Sequence, residues 1–212
     1  MAGCCGNDIK FDGLSVRYKR VLWAVIAINA AMFLVEMSAG MLSGSQALKA
    51  DALDFLGDTA TYAISLFVIG MPLIWRTRAA LFKGASLGFM GLWVLGSTLY
   101  QVLILGLPRA EVMGMIGFLA FIANLVSVLL LLRYRDGDAN VRSVWLCSRN
   151  DAIGNLAVIL AAGGVWTTST AWPDLIVAAI MASLFLYSSF GIIRQALDEL
   201  GARHDSVEEP GD

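Results

Sequence analysis

Six long apolar segments dominate this sequence and leave little room for any other architecture. They cover approximately residues 21–43, 47–73, 80–106, 111–132, 143–166 and 173–193, each close to the ~20 residues that a helix needs to cross the hydrocarbon core of a bilayer. Charged residues make up only 15% of the 212 residues, whereas soluble domains carry roughly 25%. We therefore predict an all-α membrane protein, a bundle of six transmembrane helices.

The positions of lysine and arginine predict how this bundle is oriented. Basic residues cluster before the first segment, in the second and fourth connections and after the sixth segment, whereas the other side carries Arg109 and, near a helix end, Lys49. By the positive-inside rule both termini are cytoplasmic. We predict a multi-pass protein of the bacterial inner membrane, with a cytoplasmic tail over 1–19, a transmembrane domain over 20–196 and a short disordered cytoplasmic tail over 197–212.

Three carboxylates interrupt the second apolar segment. Asp51, Asp54 and Asp58 are spaced by three and four residues, which places them on one face of a helix. Ionised side chains in the membrane interior are costly and need a partner, a proton or a cation. Asp54 and Asp58, one turn apart, can reach the same point beside the helix, and their mutual repulsion is relieved by a divalent cation. We therefore expect this position to exchange protons for metal.

A second pair of metal-binding side chains lies in the fifth segment, where Cys147 and Asp151 are four residues apart. Thiolate and carboxylate are both ligands for Zn(II), which takes four ligands in a tetrahedron. At ~1.5 Å per residue, Asp58 lies about 18 Å from the start of its helix and Asp151 about 12 Å from the cytoplasmic start of its own. The two helices run antiparallel, so we predict that Asp54 faces Asp151 and that Asp58 faces Cys147.

These residues resemble the cation diffusion facilitators, a family of six-helix transporters that exchange divalent metal ions for protons. The resemblance extends over about residues 16–198 and includes Asn29, Glu36 and the run Gly44-Ser45-Gln46-Ala47-Leu48. The family's transport site has His or Asp, three residues and then Asp on helices two and five. This pattern implies Asp54, Asp58 and Asp151 as metal ligands, with Cys147 at a position usually held by His or Asp.

Two features depart from the family pattern. The sequence ends soon after the sixth segment, so the resemblance implies a short form without the C-terminal cytoplasmic domain, and it leaves dimerisation open. The apolar segments also contain no histidine. Thiolate favours Zn(II), Cd(II) and similar ions over Mn(II) or Mg(II). We therefore expect a secondary transporter and not an enzyme, which exports Zn(II)- or Cd(II)-like ions by metal/proton antiport, with Pb, Co and Fe(II) left open.

Several of the highlighted residues also have simpler interpretations. Asp51 is expected to support the site, or to pair with Lys49 or cap a helix, rather than to bind metal. The simpler interpretation of Cys147 is a small buried apolar residue, since free cysteine is often buried, but its four-residue spacing from Asp151 favours a metal ligand. Asn155 is a candidate to orient a ligand, and Asn29 and Glu36 complete the supporting set. Cys4 and Cys5 are interpreted either as a soft-metal capture site or as incidental thiols in a tail.

Two other functions share the intramembrane carboxylates. An intramembrane aspartyl protease usually has Gly-x-Gly-Asp, whereas this sequence has Phe55-Leu56-Gly57-Asp58 and lacks the first glycine. A passive cation channel would use similar acidic residues without coupling to protons.

The partners expected for the chain are the lipid bilayer, metal cations and a second copy joined through transmembrane helices. Gly84, Gly88 and Gly91 indicate a close helix contact for this purpose. We expect neither nucleic acid nor a resident cofactor.

Overall fold

A computed structural model of the protein describes residues 15–68, 73–104, 106–135 and 139–208. Within these ranges the chain forms helices and no strands, which confirms the all-α prediction. The helices are α1 (Val16–Ser43), α2 (Gln46–Val68), α3 (Leu73–Ile104), α4 (Ala110–Leu131), α5 (Ala139–Thr168) and α6 (Trp172–Glu208), and a short 3₁₀ helix (Leu132–Tyr134) follows α4.

Five of these helices, α1 and α3 to α6, are long and apolar enough to cross a membrane. Among the described helices, α2 is the exception, because it carries Lys49, Asp51, Asp54 and Asp58. It packs against α1, α3, α5 and α6, so most of its charged side chains are enclosed by protein rather than exposed to lipid. This enclosure explains how a helix with three carboxylates can belong to a membrane bundle.

Two predicted boundaries differ from the structure. α1 begins at Val16, inside the segment predicted as an N-terminal tail, and α6 continues to Glu208, where the sequence had indicated a disordered tail from residue 197. Both extensions continue the helix past the apolar segment, and neither contains a proline. The cytoplasmic placement of both termini remains a prediction, and residues 1–14 lie outside the described part of the chain.

Glycines on α3 allow this helix to approach α6 closely. A Cβ added at Gly84 would lie 2.8 Å from Ile193, and one added at Gly91 would lie 3.0 Å from Leu186. The Ser189 hydroxyl on α6 donates a hydrogen bond to the carbonyl of Gly84 at 2.7 Å. The glycine face that the sequence had indicated as a possible contact between protomers therefore packs within one chain.

Asp174 joins the beginning of α2 to the beginning of α6. Its carboxylate accepts hydrogen bonds from the Ser45 hydroxyl at 2.6 Å, the Gln46 amide at 2.8 Å and the Ala47 amide at 3.0 Å. These amides belong to the first turn of α2, where backbone N–H groups have no partner within the helix and favour a negative charge. The Asp174 contact therefore fixes the end of α2 from which its acidic residues extend into the bundle.

Candidate metal site

A cavity of about 380 Å³ lies where α2, α3, α5 and α6 meet. Its polar wall includes four metal-binding candidates and one lysine: Asp54, Asp58, Lys83, Cys147 and Asp151. Its apolar wall comes mainly from α3 and α6: Leu87, Met181, Leu184, Phe185 and Ile192. The four candidate ligands identified from sequence spacing therefore line one cavity.

Asp151 is the central carboxyl group of this cavity. It contacts Asp54 and Asp58, so the α5 side chain bridges two α2 carboxyls that lie one turn apart. The predicted pairing of Asp54 with Asp151 is thus present in the structure. The contact between Asp151 and Asp58 was not predicted, and it arises because a side chain between two turns of the facing helix can reach both of them.

Cys147 lies one turn before Asp151 on α5 and is half-buried. Its electrostatic neighbours include Asp58 and Asp54, and it also contacts the Tyr62 hydroxyl. Because Asp58 is the strongest of these carboxylate neighbours, Cys147 lies on the side of the cavity that the sequence had indicated. A thiol at this position adds a soft donor to a group of carboxyl oxygens.

The carboxyl groups of Asp54, Asp58 and Asp151 contact one another and are not arranged around a common point. In the described part of the chain, no group of three or more His, Cys, Asp or Glu side chains is arranged to hold a metal ion. Two carboxylates offer only acceptor atoms, so a hydrogen bond between Asp151 and either α2 aspartate requires a proton on one partner. The assignment of Asp54, Asp58, Cys147 and Asp151 as ligands therefore stays a prediction.

A buried polar network lies beside the cavity. Asn124 donates a hydrogen bond to Asn155 at 2.8 Å, and Asn155 donates one to Asp51 at 2.6 Å. Asp51 in turn contacts Glu36 on α1. The two asparagines therefore link α4 to α5 and α5 to Asp51 of α2. Of the alternatives for Asp51, the structure does not contain the pairing with Lys49: Asp51 turns toward α1 and α5, whereas Lys49 faces Asp174.

The remaining supporting candidates have different outcomes. Asn29 is buried on α1, and its Oδ1 has no hydrogen-bond partner among the described residues. Glu36 is likewise fully buried, in contact with Asp51. Cys4 and Cys5 lie outside the described residues.

Sequence reasoning missed two residues that act on the cavity. The Tyr62 hydroxyl donates a hydrogen bond to Asp58 and also lies 3.4 Å from Ser148 Oγ. Lys83 lines the cavity and acts electrostatically on Asp58 and Cys147. The four-residue spacing from Asp58 to Tyr62 was a signal that could have been used. Lys83 lies near the beginning of the third apolar segment and belongs to no recognisable motif.

Comparison with known proteins identifies the family. Residues 75–200 match the cation efflux transmembrane domain. The chain belongs to the cation efflux family. This result confirms the resemblance noted from the motifs, and with the apolar helices it confirms an integral, multi-pass protein of the bacterial inner membrane. Cation efflux proteins are secondary transporters rather than enzymes.

Similar cation efflux proteins are known from several bacteria. The chain is 24% identical over 199 residues to the cation efflux system protein CzcD of Alcaligenes sp. strain CT14, covering 86% of this chain and 61% of that protein. It is 29% identical over 195 residues to the zinc transporter ZitB of Escherichia coli, with 86% and 62% covered. A cadmium, cobalt and zinc/H(+)-K(+) antiporter of Bacillus subtilis is 22% identical over 195 residues, with 84% and 62% covered. The chain thus spans about three fifths of the length of these relatives.

Proposed function

We propose that this cation efflux protein exports divalent heavy-metal ions of the Zn(II) and Cd(II) type from the cytoplasm in exchange for protons. The observation that carries the proposal is the position of Asp151, which contacts both Asp54 and Asp58 in a cavity that Cys147 also lines. Relatives described as a zinc transporter and as a cadmium, cobalt and zinc antiporter support the choice of cargo.

The proposed ligands are Asp54, Asp58, Cys147 and Asp151. Three carboxylates and one thiolate form a mixed set of hard and soft donors, and the thiolate favours Zn(II) and Cd(II) over Mn(II). Metal binding requires these groups in their deprotonated forms, so loading the site releases protons. A protonated carboxyl group can donate to a neighbouring carboxylate, so protons and metal compete for the same oxygens.

Metal ions and protons compete for the same carboxyl oxygens, and this competition exchanges one for the other. A metal ion entering from the cytoplasm separates Asp151 from Asp54 and Asp58 and displaces the shared protons. Protons arriving from the more acidic side restore the contacts between carboxyl groups and release the metal there. The cycle needs no resident cofactor. We also propose that the protein forms a homodimer through transmembrane helices. In the same proposal Cys4 and Cys5 capture soft metal ions, and the transport domain covers residues 20–196.

Zinc uptake into inverted membrane vesicles under an imposed pH gradient tests this function. Asp58→Ala and Asp151→Ala are expected to abolish uptake, because each removes a carboxylate from the cavity. Glu111→Gln provides a matched control, since Glu111 is an exposed carboxylate in the first turn of α4. Uptake by either alanine variant at the wild-type rate would overturn the assignment.

The same vesicles distinguish the two alternative functions. Zinc flux that ignores the pH gradient would identify a passive channel. Cleavage of a membrane peptide that Asp58→Asn blocks and that metal does not affect would identify an intramembrane protease. Uptake that follows the gradient and requires both aspartates supports the antiporter.

A further inference from the structure

A second pair of carboxyl groups lies outside the cavity. Glu36 on α1 is 0% exposed and Asp51 on α2 is 1% exposed, and neither lines the cavity around Asp151. The two side chains contact each other across the interface between α1 and α2. The four candidate ligands line the cavity in which we propose that metal binds, whereas Glu36 and Asp51 do not.

The hydrogen bonding of this pair is incomplete in a way that indicates a bound cation. Asn155 donates its amide hydrogen to Asp51, but neither carboxylate oxygen of Glu36 has a hydrogen-bond partner within the described ranges. When ionised, Glu36 and Asp51 present only acceptors to each other, and a buried contact between two such groups is strongly unfavourable. A proton between them supplies the missing donor and removes one of the two charges.

The pair is electrostatically connected to the proposed metal site. Asp54 acts on Glu36, and Asp51 acts on Asp54. On the other side, Asn155 holds Asp51 and is itself held by Asn124. Because charges interact strongly in a weakly polar interior, a divalent cation at Asp54 makes it easier for the Glu36–Asp51 pair to lose its proton.

We propose that Glu36 and Asp51 form a proton-binding site, separate from the metal ligands, that loses its proton when metal binds at Asp54 and regains it when the metal leaves. This inference rests on the proposed function. It adds to that function a second proton-binding position, which the metal does not occupy. Asn155 orients Asp51 toward Glu36, and Asn124 fixes Asn155. Part of the proton exchange thus occurs at Glu36 and Asp51, beside the metal site, and not at the metal ligands.

The isosteric variants Glu36→Gln and Asp51→Asn test this site in the purified, full-length protein. Calorimetric titration with Zn²⁺ in buffers of different ionisation enthalpy counts the protons released. Each variant is expected to release about one proton fewer for each zinc and to bind zinc about tenfold more weakly than the wild type, because the proton loss that favours binding is absent. In proteoliposomes, accumulation of zinc driven by a pH gradient is expected to fall sharply. Glu111→Gln is expected to match the wild type in both measurements.

Each outcome of this experiment has a definite meaning. Wild-type proton release and accumulation in both variants would overturn the site, as would loss of zinc binding in both, which would place the pair in the metal site or in a structural role. Zinc accumulation that follows a K⁺ gradient at constant pH, and that Glu36→Gln abolishes, would replace the proton by potassium. If the wild type itself shows no coupled transport, it is the proposed function that fails.

Discussion

The hydroxyl of Tyr62 donates a hydrogen bond to the Asp58 carboxylate, one turn away on the same helix. Tyr62 is fully buried, and its ring packs in an apolar cluster with Tyr18, Leu22 and Val144. A rigid, enclosed ring thus fixes the direction in which one proposed metal ligand points. Residues that never touch the metal can therefore determine how well the site binds it.

Tyr62→Phe tests this relationship, because phenylalanine keeps the ring and removes only the donor. A hydrogen bond to a charged group contributes about 1.5–3 kcal/mol, so we expect the zinc affinity of the purified protein to fall about tenfold or more. Tyr187→Phe is the control, since Tyr187 is exposed. Unchanged zinc binding in Tyr62→Phe would show that the orientation of Asp58 does not limit the site.

Replacing the sulfur ligand tests the predicted metal preference. Cys147→Asp makes all four proposed ligands carboxylates, so we expect the ratio of Cd(II) to Mn(II) transport to fall at least about tenfold. Cys147→His keeps a donor suited to zinc and is expected to retain Zn(II) transport. Growth of cells producing each variant, compared across Zn, Cd, Mn, Co, Fe and Pb, gives the ranking. The same ranking in both variants would exclude Cys147 as the selectivity ligand.

Lys83 places a positive charge in the wall of the cavity, facing Asp58 and Cys147. Its ammonium group repels an arriving divalent cation, so Lys83→Met is expected to bind zinc about tenfold more tightly. The measurement is a zinc titration at alkaline pH, where proton competition is small. Lys83→Arg keeps the charge and is the matched control. Weaker binding in Lys83→Met would show that the lysine assists loading instead of opposing it.

The contact between α3 and α6 predicts a difference between two glycine substitutions. Gly84→Ala would bring a methyl group within 2.8 Å of Ile193, whereas a Cβ at Gly96 meets no atom of the described residues within 4 Å. Overpacking of this kind costs about 1–3 kcal/mol. Thermal unfolding in detergent is therefore expected at a lower temperature for Gly84→Ala, and at or slightly above the wild-type temperature for Gly96→Ala. Equal unfolding temperatures would contradict close packing at Gly84.

The sequence predicted the helices well because long apolar segments have few alternatives in a membrane. It also predicted that Asp54 and Asp151 meet, since their depths on antiparallel helices can be counted from the helix ends. It did not predict that Asp51 contacts Glu36. Asn29 and Glu36 are seven residues apart and mark the buried face of α1. Which α2 residue Glu36 contacts depends on the relative depth and tilt of the two packed helices, which single-sequence reasoning cannot supply.

Small residues on α3 illustrate the same limit. Gly84, Gly88 and Gly91 predicted a close helix contact, and the structure contains one. The identity of the partner helix depends on shape complementarity with Ile192, Ile193 and Ser189 of α6, which leaves no local trace in the α3 sequence. Tyr62 and Lys83 escaped notice for a related reason, because their roles depend on which cavity they reach and not on any motif.

The close packing of α3 on α6 has a consequence for how metal crosses the membrane. These two helices form one wall of the cavity, and α2 and α5 supply the carboxyl groups on the other. The proposed metal site thus lies on the seam between a tightly joined helix pair and the rest of the bundle. Their close packing predicts that α3 and α6 move as one unit when the carboxyl groups become accessible from the other side of the membrane. Because Asp174 attaches the beginning of α6 to the beginning of α2, this unit stays joined to α2 at that end.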